Sequence, residues 1–341
     1  MRKQRELAEF LELPRKIVLT THTNPDGDAI GSSLAMWHYL RAKGHDVLAV
    51  APNHFPGFLN WMPGSGEIAI YKTEAKRVQA ALDEADLVFC LDYNALNRSG
   101  NMYDVLERCP APRVLIDHHI EPELDSFTYH LSTTETSSTG ELIYEFILMM
   151  GDREMLNRPI AECIYAGMVT DTGSFSFAAN HPKTYEITGE LVKLGVDAEK
   201  IHRLIYDTFS ENRLRLLGHA ISNRLIVWDK LHTALIYLTR EDLKQFHYKV
   251  GDIEGVVNFP LMMENVNLSI LLTERDNQIR VSMRSKGDFS VNDLARKHFN
   301  GGGHRNAAGG RMFIPIKETI DNFHEVLQDY VQALDYKIEY Q

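Results

Sequence analysis

Short apolar runs that end abruptly in acid or imidazole side chains constrain this chain more than any other feature. Residues 16–20 (KIVLT) run into His22-Thr-Asn-Pro-Asp26-Gly-Asp28, residues 86–91 (DLVFCL) into Asp92, and residues 114–116 (VLI) into Asp117-His118-His119. A β-branched apolar run between turn residues reads as a strand buried on both faces, the kind found in parallel sheets. Proteins of that architecture work just beyond the carboxyl ends of their strands. Carboxylates and imidazoles gathered there must find partners or a metal, because burying them alone is costly.

The intervening segments fit the same architecture. Helical periodicity follows the first run until Gly44 and recurs at 74–85, 138–150 and 159–170, with further strands at 47–51 and 68–71. Alternating strands and helices imply right-handed crossovers and a parallel sheet with helices on both faces. His22, Asp26 and Asp28 are read as lying together in a loop after the first strand. That loop imitates the start of a calcium-binding loop, but Ile30 and Trp37 stand where it requires a ligand and a terminal Glu. A further acid, Asp171, follows a helix beside a Gly/Ser turn.

At 341 residues the chain exceeds one comfortable core. Residues 192–223 are helical and charged, and new strands follow at 225–228, 233–238, 268–273 and 278–284. The expected division is therefore 1–191, a helical linker 192–223, and a smaller α/β domain 224–341. The second domain contains GGGHRNAAGG, residues 301–310. Consecutive glycines can turn successive amides inward to make an anion nest, here Gly301, Gly302 and Gly303 with His304 adding a donor. Asn306 excludes a dinucleotide fingerprint, and no Gly-Lys-Ser/Thr follows to make a P-loop.

Charge sharpens the choice of ligand. A net charge of −11 argues against wrapping long duplex nucleic acid, whose phosphates demand a basic face. Residues 275–311 depart from that average, with eight Lys or Arg against three Asp. An anionic substrate should thus be small, with Arg284 and, after the strand at 86–91, Arg98 as candidate phosphate contacts. Three widely spaced cysteines fit neither a zinc motif nor a disulfide framework, no apolar run is long enough for a membrane span, and a reducing, cytoplasmic setting is expected.

His22, Asp26, Asp28, Asp92, His118 and Asp171 offer four carboxylates and two imidazoles without a thiolate. Such a set suits Mn²⁺ or Mg²⁺ better than structural zinc, and six ligands suit a pair of ions bridged by one carboxylate. A water activated between two such ions would attack phosphorus, so phosphoryl ester hydrolysis is the reaction class expected.

These motifs, in this order, together with Asp171-Thr-Gly-Ser-Phe and Gly301-Gly-Gly-His304, resemble the DHH phosphoesterases with their DHH-associated second domain. The branch they resemble handles short oligoribonucleotides (nanoRNase) and 3'-phosphoadenosine 5'-phosphate. The resemblance implies two Mn²⁺ ions, one held by His22, Asp26 and Asp92, the other by Asp28, Asp92, His118 and Asp171. It implies further that Asp117 orients His118, that His119 contacts the scissile phosphate and assists the leaving oxygen, and that Arg284 and residues 301–304 grip the nucleotide across an interdomain cleft. Short RNA or a small phosphorylated nucleotide is the implied partner, with a homodimer among the assemblies open to such a chain. Polyphosphate or pyrophosphate, cyclic or linear dinucleotides, and a role as a nucleotide sensor without turnover are the alternatives.

Overall fold

The computed structural model describes residues 3–177 and 179–336. The chain divides into two compact units, Met1–Thr208 and Phe209–Gln341. The first contains strands β1 (Lys16–Thr20), β2 (Asp46–Ala51), β3 (Ala69–Ile70), β4 (Leu87–Leu91), β5 (Arg113–Asp117) and β6 (Tyr129–Ser132). They form one sheet in the order β3-β2-β1-β4-β5-β6, every pair parallel. The order reverses between β1 and β4, where connections leave in opposite directions and open a crevice at the carboxyl edge.

Alternation along the strands fills two cores. Ile17, Leu19, Phe89, Val114 and Ile116 face the helices Gly27–Ala42, Thr139–Met149 and Arg158–Asp171. Val18, Val88, Cys90 and Leu115 face the helix Tyr71–Asp83 and its neighbours. Helices on both faces explain why the strands carry no polar side.

β6 was absent from the sequence reading because Tyr-His-Leu-Ser at a half-exposed sheet edge carries no apolar run. The helix Gly27–Ala42 also begins earlier than its periodicity suggests, since helices cover it on more than one side and its first turns are small residues. A Cβ at Gly31 would lie 2.5 Å from the Cys163 carbonyl, so glycine is what lets the helix Arg158–Asp171 approach there.

The expected linker is shared between the units. Ile201 and Ile205 of the helix Ala198–Tyr206 enter the first core, whereas Leu216 and Ala220 of the helix Glu211–Asn223 pack in the second unit. Each helix buries its own apolar stripe, leaving only a short segment between them.

The second unit holds β7 (Leu225–Trp228), β8 (Thr233–Leu238), β9 (Leu268–Arg275), β10 (Gln278–Ser285), β11 (Gly302–His304) and β12 (Ala307–Met312). Their order is β11-β12-β10-β9-β8-β7, antiparallel except where β8 meets β9. The helices Val291–His298 and Ile316–Leu327 cover one face.

The glycine stretch is a hairpin and not a nest. The Gly301 and Gly303 amides donate to the Ala295 carbonyl (3.2 Å) and to Asn292 Oδ1 (2.9 Å), so they are spent within the protein. A Cβ at Gly301 would stand 1.8 Å from the Gly309 carbonyl and one at Gly303 2.5 Å from that of Ala307. The glycines therefore serve close strand packing.

Candidate metal centre

The sheet delivers the predicted ligands to its switch point. His22 follows β1, Asp92 follows β4 and His118 follows β5, all at carboxyl ends of neighbouring strands. Two of the six are held differently from the sequence reading. Asp26 caps the helix Gly27–Ala42, accepting from the amides of Asp28 and Ala29 (both 3.1 Å), and Asp28 lies in the first helical turn. An N-cap carboxylate satisfies orphan amides and fixes the helix start, which sets Asp28 in place.

Asp28 is 1% exposed and anchored at a second helix as well. Its oxygens accept from the backbone amides of Thr139 (2.6 Å) and Gly140 (2.8 Å) at the start of the helix Thr139–Met149. Room for it comes from a missing side chain, because a Cβ at Gly167 would lie 2.6 Å from Asp28 Oδ1. Thr139 also donates its hydroxyl to Asp92 Oδ1 (2.9 Å).

Thr139, Gly140 and Gly167 were missed in the sequence. Ser138-Thr-Gly-Glu141 reads as a helix start and its capping was legible, but a contact reaching back over a hundred residues was not.

Asp92 is the centre of the cluster. It is 2% exposed and adopts a left-handed backbone (φ 65°), a conformation costly for a non-glycine residue and commonest at working sites. His22 Nε2 stands 3.5 Å from Asp92 Oδ2 and 3.9 Å from Asp26 Oδ2. His118 Nε2 stands 3.5 Å from Asp92 Oδ1, 3.6 Å from Asp171 Oδ2 and 3.8 Å from Asp28 Oδ2. Separations of that size are long for hydrogen bonds and suit donors arranged about a common cation. Donor atoms of His22, Asp26 and Asp92 lie within 4.8 Å of one another, as do those of Asp28, Asp92 and His118, and Asp92 belongs to both groups.

Electrostatics tests whether the donors fit a metal. No lysine or arginine pairs with Asp26, Asp28, Asp92 or Asp171 among the described residues. Burial, then Asp92 and Asp171, drives the Asp28 carboxyl well above the usual range, and burial pushes Asp171 up to about 6. Burial opposes charge on His22, but Asp92 and Asp26 outweigh it and raise the ring to about 9. Likewise Asp171, Asp92 and Asp28 overcome burial and raise His118, while His118 and His22 hold Asp92 far down against its own burial. Protons on two imidazoles thus stand in for positive charge that four crowded carboxylates require. A mixed oxygen and nitrogen donor set with that deficit fits divalent cations. His22 is turned for the task, since its Nδ1 meets the Thr23 carbonyl (2.9 Å) and directs Nε2 into the cluster.

The role expected of Asp117 is corrected. Its Oδ2 accepts from the His119 amide (3.1 Å) and its Oδ1 pairs with His119 Nδ1 (2.7 Å), so it orients His119 and not His118. Extended chain returns a side chain to the same side every second residue, which pairs 117 with 119.

Arg98 ties its backbone to the site, its carbonyl accepting from the Thr23 amide (2.8 Å), and no partner of its guanidinium is seen among the described residues. Arg284 and His304 come together in the second unit. Arg284 pairs across β10 and β12 with Ala307, which pairs with His304, so one sheet row carries both.

Residues 16–168 match the DHH family N-terminal domain and residues 232–333 the DHHA1 domain. The chain belongs to the DHH family.

It is 29% identical over 313 residues to the bifunctional oligoribonuclease and PAP phosphatase NrnA of Bacillus subtilis, covering 90% of this chain and 93% of that protein. The crystal structure of an exopolyphosphatase-related protein from Bacteroides fragilis is 42% identical, with a TM-score of 0.93 over 98% of this chain and 97% of the other. RecJ of Thermus thermophilus in complex with Mn²⁺ is 14% identical, with a TM-score of 0.59 over 99% of this chain and 56% of the other, a likeness of fold. Among the described residues no helix is long and apolar enough to cross a membrane.

Proposed function

We propose that this chain is a metal-dependent phosphoesterase that hydrolyses short oligoribonucleotides and 3',5'-bisphosphorylated adenosine. The observation that carries the reading is the convergence on Asp92 of His22, Asp26, Asp28, His118 and Asp171 with no lysine or arginine paired to the acids among the described residues. The named activities of the Bacillus subtilis relative support the substrate class.

In this reading His22, Asp26 and Asp92 hold one divalent ion and Asp28, Asp92, His118 and Asp171 the other, with Mn²⁺ the first candidate and Mg²⁺ the second. When bound, such a pair activates water as a nucleophile and offsets charge on the phosphoryl oxygens. The chain's own residues do the rest. Asp117 holds the proton of His119 on Nδ1, so Nε2 is the nitrogen that exchanges a proton with the leaving oxygen. Arg98 neutralises a phosphate oxygen near the metals. Arg284 and His304 grip the part of the nucleotide remote from the broken bond. Gly301, Gly302 and Gly303 contribute as a bare strand surface rather than as an amide nest, because two of their amides are already bonded. The three cysteines are free and buried, which supports a reducing, cytoplasmic setting.

The Bacteroides fragilis likeness favours a second reading, hydrolysis of polyphosphate by the same centre. One assay separates the two. With Mn²⁺ present, a dinucleotide RNA, 3',5'-bisphosphorylated adenosine, a cyclic dinucleotide and polyphosphate are compared by specificity constant. The proposal requires the first two to lead, and polyphosphate leading by tenfold or more would replace it with the second reading.

A further inference from the structure

The face of β10 and β12 turned away from the helices Val291–His298 and Ile316–Leu327 carries more positive charge than a grip on one phosphate requires. Strand register sets out its rows. Arg284, Ala307 and His304 make the first, Ser282, Gly309 and Gly302 the second, and Arg280 with Arg311 the third. Thr273 of β9 completes the third row, and Arg275, paired with Gln278, lies one row beyond it on the same face. Between the two cationic rows stand Ser282 and Gly309, small residues that leave the backbone uncovered by bulky side chains, while Asn292 and Arg296 stand over Gly302.

The third row is built at a cost. Arg280 stands directly opposite Arg311, and like charges opposed across strands repel. The Nε groups of Arg275 and Arg280 are buried donors without a partner. Their other contacts satisfy them in part, Arg275 Nη1 donating to the Tyr248 hydroxyl (2.6 Å) and Arg280 Nη2 meeting Asp276 at 3.4 Å. Burial, with the charges of Arg275 and Arg311 added, lowers the pKa of the Arg280 guanidinium. Buried donors left unmade are rare in folded proteins and mark a missing acceptor. Beside the row Phe313 is 73% exposed, an aromatic ring on which a base can stack.

We propose that Arg275, Arg280 and Arg311, flanked by Phe313, form a second anion row that takes a phosphate of an oligoribonucleotide beyond the one held by Arg284 and His304. Four residues of β10 separate the rows, about 13 Å at strand rise. That span exceeds a dinucleotide's single internal phosphate, so the row acts on longer chains. The inference rests on the proposed function and names its substrate class more narrowly: RNA of several nucleotides.

The test is the ratio of specificity constants for a pentanucleotide and a dinucleotide RNA, in wild type and in Arg280→Gln and Arg311→Gln. Each variant should lower the ratio about tenfold, and the salt dependence of pentanucleotide binding should flatten by about one charge per arginine. Arg311 is exposed, so its replacement keeps the test valid if Arg280→Gln fails to fold. Phe313→Ala should lower the ratio less.

Binding of a fluorescent pentanucleotide in excess chelator separates the two hypotheses. If wild type binds it, both glutamine variants bind it more weakly, and yet no RNA is cleaved when Mn²⁺ is supplied in a separate assay, the row stands and the assigned reaction falls. An unchanged ratio together with unchanged binding in Arg311→Gln overturns the row.

Discussion

The two units present opposite electrostatic problems. In the first, carboxylates converge at the end of β1, β4 and β5, and among the described residues the cations beside them are histidines and not lysine or arginine. In the second, arginines line a sheet face, and the buried Nε donors of Arg275 and Arg280 meet no acceptor among the described residues. A third arrangement provides the control. Asp242, also buried, accepts from Arg224 Nε and Nη2 (each 2.9 Å) and the Thr239 amide (3.0 Å) and pairs with His219 (2.8 Å). Its charge is complete without a ligand. Buried charge in this protein is therefore either answered locally and structural, or left unanswered and poised for something that binds.

The largest effect that can break this contrast is on Asp92, the acid proposed to bridge the two ions. Asp92→Asn should abolish hydrolysis of every substrate while the chain stays folded, since Asp92 serves the cluster and not the core. Substantial turnover in that variant would remove it from the bridging role.

Asp242→Asn should do the opposite. Breaking a buried, fully bonded pair costs about 3 kcal/mol of stability, visible as an earlier denaturation midpoint, with the chemistry of the folded fraction intact. Its pH signature has a definite sign. Burial pushes the Asp242 carboxyl upward, but Arg224 and the Thr239 cap outweigh it and hold it down to about 2. That stabilisation is present above the unfolded value near 4 and is lost as pH falls through about 2. A variant whose acid unfolding matches wild type would deny Asp242 its structural role.

Much of the first unit was legible because its strands are buried on both faces and announce themselves as apolar runs. His22, Asp92 and His118 at the strand ends followed from that, and the six candidate ligands come together in space. What could not be read lies in contacts between distant segments. Thr139 and Gly140 meet Asp28 across more than a hundred residues, and Gly167 matters for the side chain it lacks. Asp117 was assigned to its neighbour, although alternation along extended chain favours His119. In the second unit, glycine density suggested a nest where strand packing requires small residues. The basic balance of residues 275–311 was plain, but which arginines share a face follows only from register.

Two smaller effects sharpen the contrast further. Asp117→Asn should lower turnover about 10- to 100-fold, as loss of an orienting partner usually does, and should shift the pH profile assigned to His119. An unchanged pH profile would separate His119 from the proton transfer. Arg284→Ala should lower the specificity constant for dinucleotide RNA about tenfold to a hundredfold, the loss of one charge-assisted contact. A small activated aryl phosphate should be nearly indifferent to it. Equal losses on both substrates would make Arg284 a support of the fold and not a grip on nucleotide.

The central claim is that the unanswered carboxylates form a two-cation centre, and metal stoichiometry addresses it without reference to substrate. Purified chain stripped with chelator is titrated with Mn²⁺ calorimetrically, and bound metal is counted by elemental analysis, in wild type and in Asp92→Asn. The account predicts two Mn²⁺ per wild-type chain, an uptake that strengthens as pH rises and the histidine protons leave, and loss of the pair in Asp92→Asn. A wild-type chain that takes up no Mn²⁺, or an Asp92→Asn chain that takes up the same two, would contradict it.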